Sequence, residues 1–221
     1  MSDAAPIAFL FDYLSPFAYL AWTELRTIAT RHRREIEPVP VLLAGLLSAH
    51  GTKGPAEVPA KREYIYRHVL RVADRLAIPF APPPTHPFRP LPALRASSVA
   101  LPREQRLALV DRLFAATWGG AGGGVETDAA VLRCANDAGL DGEAIVREAS
   151  SEETKARLRK ATDDAIAAGV FGVPTMIVEG PLFWGFDALP DLERALEGND
   201  PVTPDAVARW ATLMPSATRR S

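Results

Sequence analysis

The stretch FLFDYLSPFAYLAW, Phe9 to Trp22, joins two apolar segments of different spacing across Leu14-Ser15-Pro16. Before the turn, PIAFLFD (6–12) is a short apolar run, as in a strand buried on both faces. After it, Ala18, Ala21, Trp22, Leu25, Ile28 and Ala29 recur at helical spacing. Ser15 suits the cap of that helix, and Pro16 its first turn. Arg31, His32, Arg33 and Arg34 place cations at its negative end. IEPVPVLL (36–43) then reads as a second strand, with prolines that favour an edge or irregular position. A strand therefore hands over to a helix at a serine, and a second strand follows.

Outward from this unit the chain changes character. Residues 59–77, 92–118, 127–138, 141–149 and 151–168 read as helices, the last with a capping-box signal from Ser150 and Glu153. Proline-rich punctuation (79–90) and a glycine loop (119–124) lie between them. Strand character returns at 173–179 and 182–185, followed by helices at 188–197 and 205–213 and a basic tail. The order βαβ, helical block, ββα implies one sheet interrupted by an inserted helical domain. The expected division is a discontinuous sheet domain (1–50 and 170–200), an inserted helical domain (51–169) and a C-terminal extension (201–221). His32, His50, His68 and His86 are evenly spaced, but their neighbours differ, so the spacing reads as coincidence.

Composition bounds the function. A chain of 221 residues buries roughly 70% of its unfolded surface and needs no disulfide or metal staple. The single cysteine, Cys134, excludes an internal bridge and fits a reducing, cytoplasmic setting. No secretory signal or membrane-length apolar run is apparent. A net charge of −2 lacks the basic excess of a nucleic-acid binder. The glycine loop lacks the lysine of a phosphate-binding motif, and no His/Cys/Asp cluster has metal-ligand spacing. The expected partner is a small molecule, with neither nucleic acid nor membrane involved.

Three features carry candidate chemistry. Ser15 is either a cap alone or, with the free amides of a helix start, a holder of an anion. Gly172-Val173-Pro174-Thr175 is either an ordinary strand start or a proline that leaves the Val173 backbone free for a peptide-like ligand. Trp184-Gly185-Phe186-Asp187 ends in a carboxylate that either caps the last helix or holds a ligand ammonium.

In this order, FDYLSPFAYLAW, GPAEVPAKREYIYR (54–67), HPFRPLPALR (86–95) and GVFGVPTMIVEGPLFWGFDAL (169–189) resemble the 2-hydroxychromene-2-carboxylate isomerases. These are DsbA-like relatives of the kappa-class glutathione transferases. The resemblance implies an α/β thioredoxin-like fold (βαβ…ββα) with a large inserted all-helical domain. Ser15-Pro16-Phe17-Ala18 stands where redox relatives carry two cysteines, which excludes dithiol exchange.

By the same resemblance, glutathione is the cofactor, and Ser15 bonds its sulfur and stabilises the thiolate. Val173 and Pro174 meet its cysteinyl unit, Trp184, Gly185 and Phe186 line the site, and Asp187 takes the γ-glutamyl ammonium. Thr52, Lys53, Phe88 and Arg89 fall at substrate positions. Leu47 is apolar where relatives often carry a base, so a substrate carboxylate falls to Arg89 or Lys53. Relatives often have asparagine at the positions of Thr52 and Arg89, and a polar residue at that of Phe186. The implied activity is isomerisation of an aromatic or conjugated molecule by reversible thiolate addition. A kappa-like transferase and a non-catalytic glutathione-binding module are the alternatives, and analogy with kappa-class relatives implies a homodimer.

Overall fold

The computed structural model describes residues 4–120, 123–214 and 216. Two positions of the glycine loop, 121 and 122, and the arginines of the basic tail lie outside them. β1 (Ile7–Phe11) is flanked by β2 (Ile36–Pro40) and β3 (Thr175–Ile177), and β4 (Leu182–Trp184) completes the order β2-β1-β3-β4. A strand in the interior of a sheet covered on both sides must be apolar without alternation, which explains IAFLF. β2 runs parallel to β1, with Phe9 opposite Pro38, and α1 (Pro16–Arg31) forms the crossover. β3 is antiparallel to β1, with Phe9 opposite Met176, and β4 is antiparallel to β3. This is the thioredoxin-like arrangement that the resemblance implies.

Every residue of the expected α1 stripe is buried. The edge position expected for β2 is also found, but the strand stops at Pro40 and a short helix not foreseen, α2 (Leu43–Ala49), begins at once. Its N-cap residue, Leu42, has no capping side chain. Asp12 supplies the acceptor instead, taking the Leu43 N–H on Oδ2 at 3.0 Å. That cap comes from a distant part of the chain and leaves no local signal.

α3 (Pro59–Arg75) follows, and the single helix expected over 92–118 is two: α4 (Leu91–Ser97) and α5 (Arg103–Trp118). Pro102 is responsible, because proline disfavours helical backbone at the residue before it and suits a helix start. α6 (Asp128–Asp137), α7 (Gly142–Ala149) and α8 (Glu152–Ala167) complete the block. The capping box expected at Ser150 is displaced by one residue. Ser151 accepts the Thr154 N–H at 3.1 Å, Ser150 closes α7, and Glu153 pairs with Arg157. α9 (Leu189–Leu196) packs against α1 and β4, and α10 (Pro204–Ala211) stands exposed.

One core cluster joins the sheet to the helical block. Phe11 packs against Tyr13 and Phe114 at ring distances of 5.2 and 5.3 Å. Buried Trp118 donates its indole N–H to the Tyr13 carbonyl at 2.8 Å, and the Tyr13 hydroxyl meets Ser97 Oγ at 2.8 Å. The opposite face of β1 is covered by a smaller group containing Leu10, Val41, Leu46, Ala165 and Val170. Among the described residues no helix is long and apolar enough to cross a membrane.

Candidate functional site at the first strand–helix corner

The corner between β1 and α1 is fixed by its own backbone. The Ser15 N–H donates to the Asp12 carbonyl at 3.1 Å, and the Leu14 N–H to Asp12 Oδ1 at 3.0 Å. Ser15, 8% exposed, accepts the Ala18 N–H on Oγ at 3.2 Å. Its hydroxyl proton points across the gap to the Val173 carbonyl at a long 3.4 Å. A bond of that length is weak and easily exchanged for a better acceptor. Pro16 has no N–H to offer, and the Phe17 amide has no hydrogen-bond partner among the described residues. The helix start therefore keeps a donor and its partial positive charge beside the serine.

The facing wall comes from the segment before β3. The Val173–Pro174 peptide is cis, Thr175 Oγ1 donates to the Gly172 carbonyl at 2.8 Å, and the Gly185 N–H donates to the Pro174 carbonyl at 2.9 Å. The Val173 N–H makes no hydrogen bond among the described residues. Trp184, 51% exposed, lies over Gly172, where a Cβ would come within 2.7 Å of its indole nitrogen. Its ring also meets Phe171 at 4.8 Å.

Gly185 turns the chain at φ 95°, and a side chain there would run into the Asp187 carboxylate. Asp187 is exposed on a single 3₁₀ turn and forms no ion pair among the described residues. Phe186 packs half-buried against the core.

The structure thus joins Ser15 to Val173 directly and Pro174 to the 184–187 segment through Gly185. It places the substrate candidates differently. Phe88 is buried, while Thr52 and Lys53 are exposed beyond α2. Arg89 is exposed, its N–H bonded to Glu126 at 3.2 Å, and it lines a hollow of about 330 Å³ with Leu91, Pro92 and Arg95. No hydrogen bond or ring contact among the described residues joins Thr52, Lys53 or Arg89 to Ser15.

Two residues at the corner escaped the sequence reading. Asp12 is almost fully buried, and burial lifts its carboxyl to about 6 against the pull of the Leu14 and Leu43 N–H groups. His86 reaches the Leu14 carbonyl with Nε2 at 2.9 Å, and its Nδ1 meets the Tyr66 hydroxyl at 2.6 Å. Burial holds its pKa below the usual histidine value; the Leu14 carbonyl pulls the other way, and Arg62 adds to the lowering. The available signal was a histidine before a proline in an irregular segment, which says little without its partners. Cys134 is buried in α6, and burial first, then Asp137, raises its thiol pKa.

Residues 6–197 match the family model of the DSBA-like thioredoxin domain. The chain is 34% identical over 194 residues to 2-hydroxychromene-2-carboxylate isomerase of Sphingobium xenophagum, an alignment spanning 86% of this chain and 97% of that one. It is 27% identical over 188 residues to glutathione S-transferase kappa 1 of Rattus norvegicus, covering 80% and 83% of the two chains. The solved structure of a 2-hydroxychromene-2-carboxylate isomerase superposes with TM-score 0.80 at 26% identity, over 94% of this chain and 99% of the other. The family model spans both ends of the sheet, and the similarity to these isomerases runs over most of both chains: the chain belongs to the DSBA-like thioredoxin family, in its 2-hydroxychromene-2-carboxylate isomerase branch.

Proposed function

We propose that this protein is a glutathione-dependent isomerase of the 2-hydroxychromene-2-carboxylate type, acting on an aromatic or conjugated small molecule. The observation that carries the reading is the Ser15 hydroxyl, buried at the start of α1 and held only loosely by the Val173 carbonyl at 3.4 Å. The similarity to isomerases and to kappa-class transferases supports it.

The residues present fit glutathione. Among the described residues, Val173 offers an unpaired N–H beside the cis proline, Asp187 an unpaired carboxylate for an ammonium group, and Ser15 a donor for sulfur. When bound, glutathione supplies a thiolate that adds reversibly to a conjugated double bond, so that bond rotation follows and the thiol is regenerated.

Ser15 turns its proton from the Val173 carbonyl to the sulfur, keeps it throughout, and goes on accepting the Ala18 N–H. The free Phe17 amide and the helix dipole favour negative charge at the same point. A free thiol with a pKa near 8.5 is only a few per cent thiolate at pH 7, and lowering it by about 2 units requires roughly 2.7 kcal/mol. One charge-assisted hydrogen bond and a helix terminus together reach that scale. Phe88, Thr52, Lys53 and Arg89 are proposed for the substrate, with Arg89 or Lys53 meeting its carboxylate.

The test is a titration of the thiolate absorbance of bound glutathione. The wild type is expected to titrate well below free glutathione. Ser15→Asp keeps a helix cap but sets a negative charge against the thiolate, so the protein should stay folded, titrate at higher pH and lose activity. Wild-type turnover with an unshifted titration in that variant would reduce Ser15 to a cap and end the proposal. A stable glutathione conjugate among the products would point to a kappa-like transferase, and an unlowered wild-type thiol pKa to a binding module.

A further inference from the structure

The geometry points to His86 as a positioning residue for Ser15, locked in one tautomer by Tyr66 and Arg62. The inference deepens the reading of Ser15 as holder of the glutathione sulfur, and its functional arm rests on that reading; the clamp itself does not.

A carbonyl oxygen only accepts, so Nε2 of His86, 2.9 Å from the Leu14 carbonyl, carries the proton. In the neutral ring Nδ1 is then an acceptor, and it takes the Tyr66 hydroxyl proton at 2.6 Å. The Tyr66 oxygen in turn accepts from Arg62 Nε at 3.4 Å, and the second arm of the guanidinium donates to the His86 carbonyl at 2.6 Å. Every donor in the series Arg62, Tyr66, His86 points the same way and ends on Leu14, so each bond polarises the next. Packing fixes the ring as well, with Tyr66 and Phe88 edge-on at 5.6 and 6.2 Å and Trp118 at 5.5 Å.

The Leu14–Ser15 peptide is thereby gripped at both ends. His86 holds its C=O, and the Asp12 carbonyl holds its N–H at 3.1 Å. The orientation of that peptide fixes where the Cα–Cβ bond of Ser15 points, and so where Oγ lies relative to Val173. Hydrogen-bonded supporting residues of this kind set the precision of a reacting group. α3 and the 79–90 segment thus reach the corner through one imidazole.

The test compares the wild type with His86→Leu, His86→Gln and Tyr66→Phe. Ring-nitrogen NMR of the glutathione-free protein should show His86 protonated on Nε2. Amide hydrogen exchange at Ser15 should quicken about tenfold or more in His86→Leu. In the same variant bound glutathione should titrate at higher pH and turnover should fall by about tenfold to 10²-fold, the scale of a misplaced reacting group, with glutathione affinity by calorimetry nearly unchanged. His86→Gln, which keeps an N–H for Leu14, should recover part of each loss. Should His86→Leu fail to fold, Tyr66→Phe, which removes only the lock on the tautomer, carries the same measurements. An Nδ1-protonated ring, unchanged exchange at Ser15, or faster exchange with an unmoved thiol titration would each overturn the assignment. A wild type that binds no glutathione would instead end the functional reading, and the ring and exchange measurements would still judge the clamp.

Discussion

The Asp12 carboxylate sits where β1, α1 and α2 meet, bonded to two backbone N–H groups and cut off from water. Burial outweighs those bonds and raises its pKa to about 6, against 3.8 for an ordinary aspartate. Between these values the folded chain holds a proton that the unfolded chain has released. Its contribution to stability is therefore full below about pH 4 and is lost as pH rises through about 6, on the order of 3 kcal/mol at 1.36 kcal/mol per unit. Asp12→Asn, which cannot ionise, should lack this slope in denaturant unfolding between pH 4 and 7, even if the lost acceptor lowers its stability at every pH. An unchanged slope would assign the pH dependence elsewhere. At this scale the sequence was legible where the physics is local. A serine before a proline and an apolar stripe announces a helix start by itself. His86 and Asp12 were not legible, because their partners lie far away in sequence and only the fold assembles them.

Among elements, the turn from β4 into α9 shows how backbone geometry delivers a side chain. Gly185, at φ 95°, leaves room for the Asp187 carboxylate where any Cβ would collide with it. Asp187→Ala should weaken glutathione binding by roughly 1.5–3 kcal/mol, the scale of a charge-assisted hydrogen bond. Gly185→Ala should reproduce much of that loss with the carboxylate intact, and add more than about 1 kcal/mol of destabilisation from the left-handed backbone. Calorimetry on both variants checks this: full affinity in Gly185→Ala would separate the turn from the site. The elements that the sequence missed or merged have two causes, one distant and one local. α2 is capped by Asp12 rather than by a neighbour, and the division of α4 from α5 turns on Pro102 inside a continuous apolar pattern. The choice between Ser150 and Ser151 as cap is a matter of one residue, below what spacing resolves.

For the whole molecule, we propose the division into a sheet domain at 1–50 and 170–200 and an inserted helical domain at 51–169. The core does not follow that division, since Phe9, Phe11 and Trp22 of the sheet unit share one cluster with Phe114 and Trp118 of the helical block. Unfolding is therefore expected as a single transition, with near-ultraviolet and far-ultraviolet circular dichroism coinciding along a urea gradient. Two separated midpoints would show that the two parts melt independently. The succession of strands and helices along the chain was readable from periodicity, but the shared core was not, because contact between Phe11 and Phe114 depends on how the insertion folds back over the sheet. The prolines of β2 have a consequence of another kind. Val41 directs its N–H inward to the Phe11 carbonyl at 2.9 Å, so the alternate positions Pro38 and Pro40 face outward along the free border of the sheet. That border lacks two of the donors a foreign strand would need, so the sheet resists growth by accretion of further chains, a safeguard against fibrillar assembly written into the same residues that end the strand.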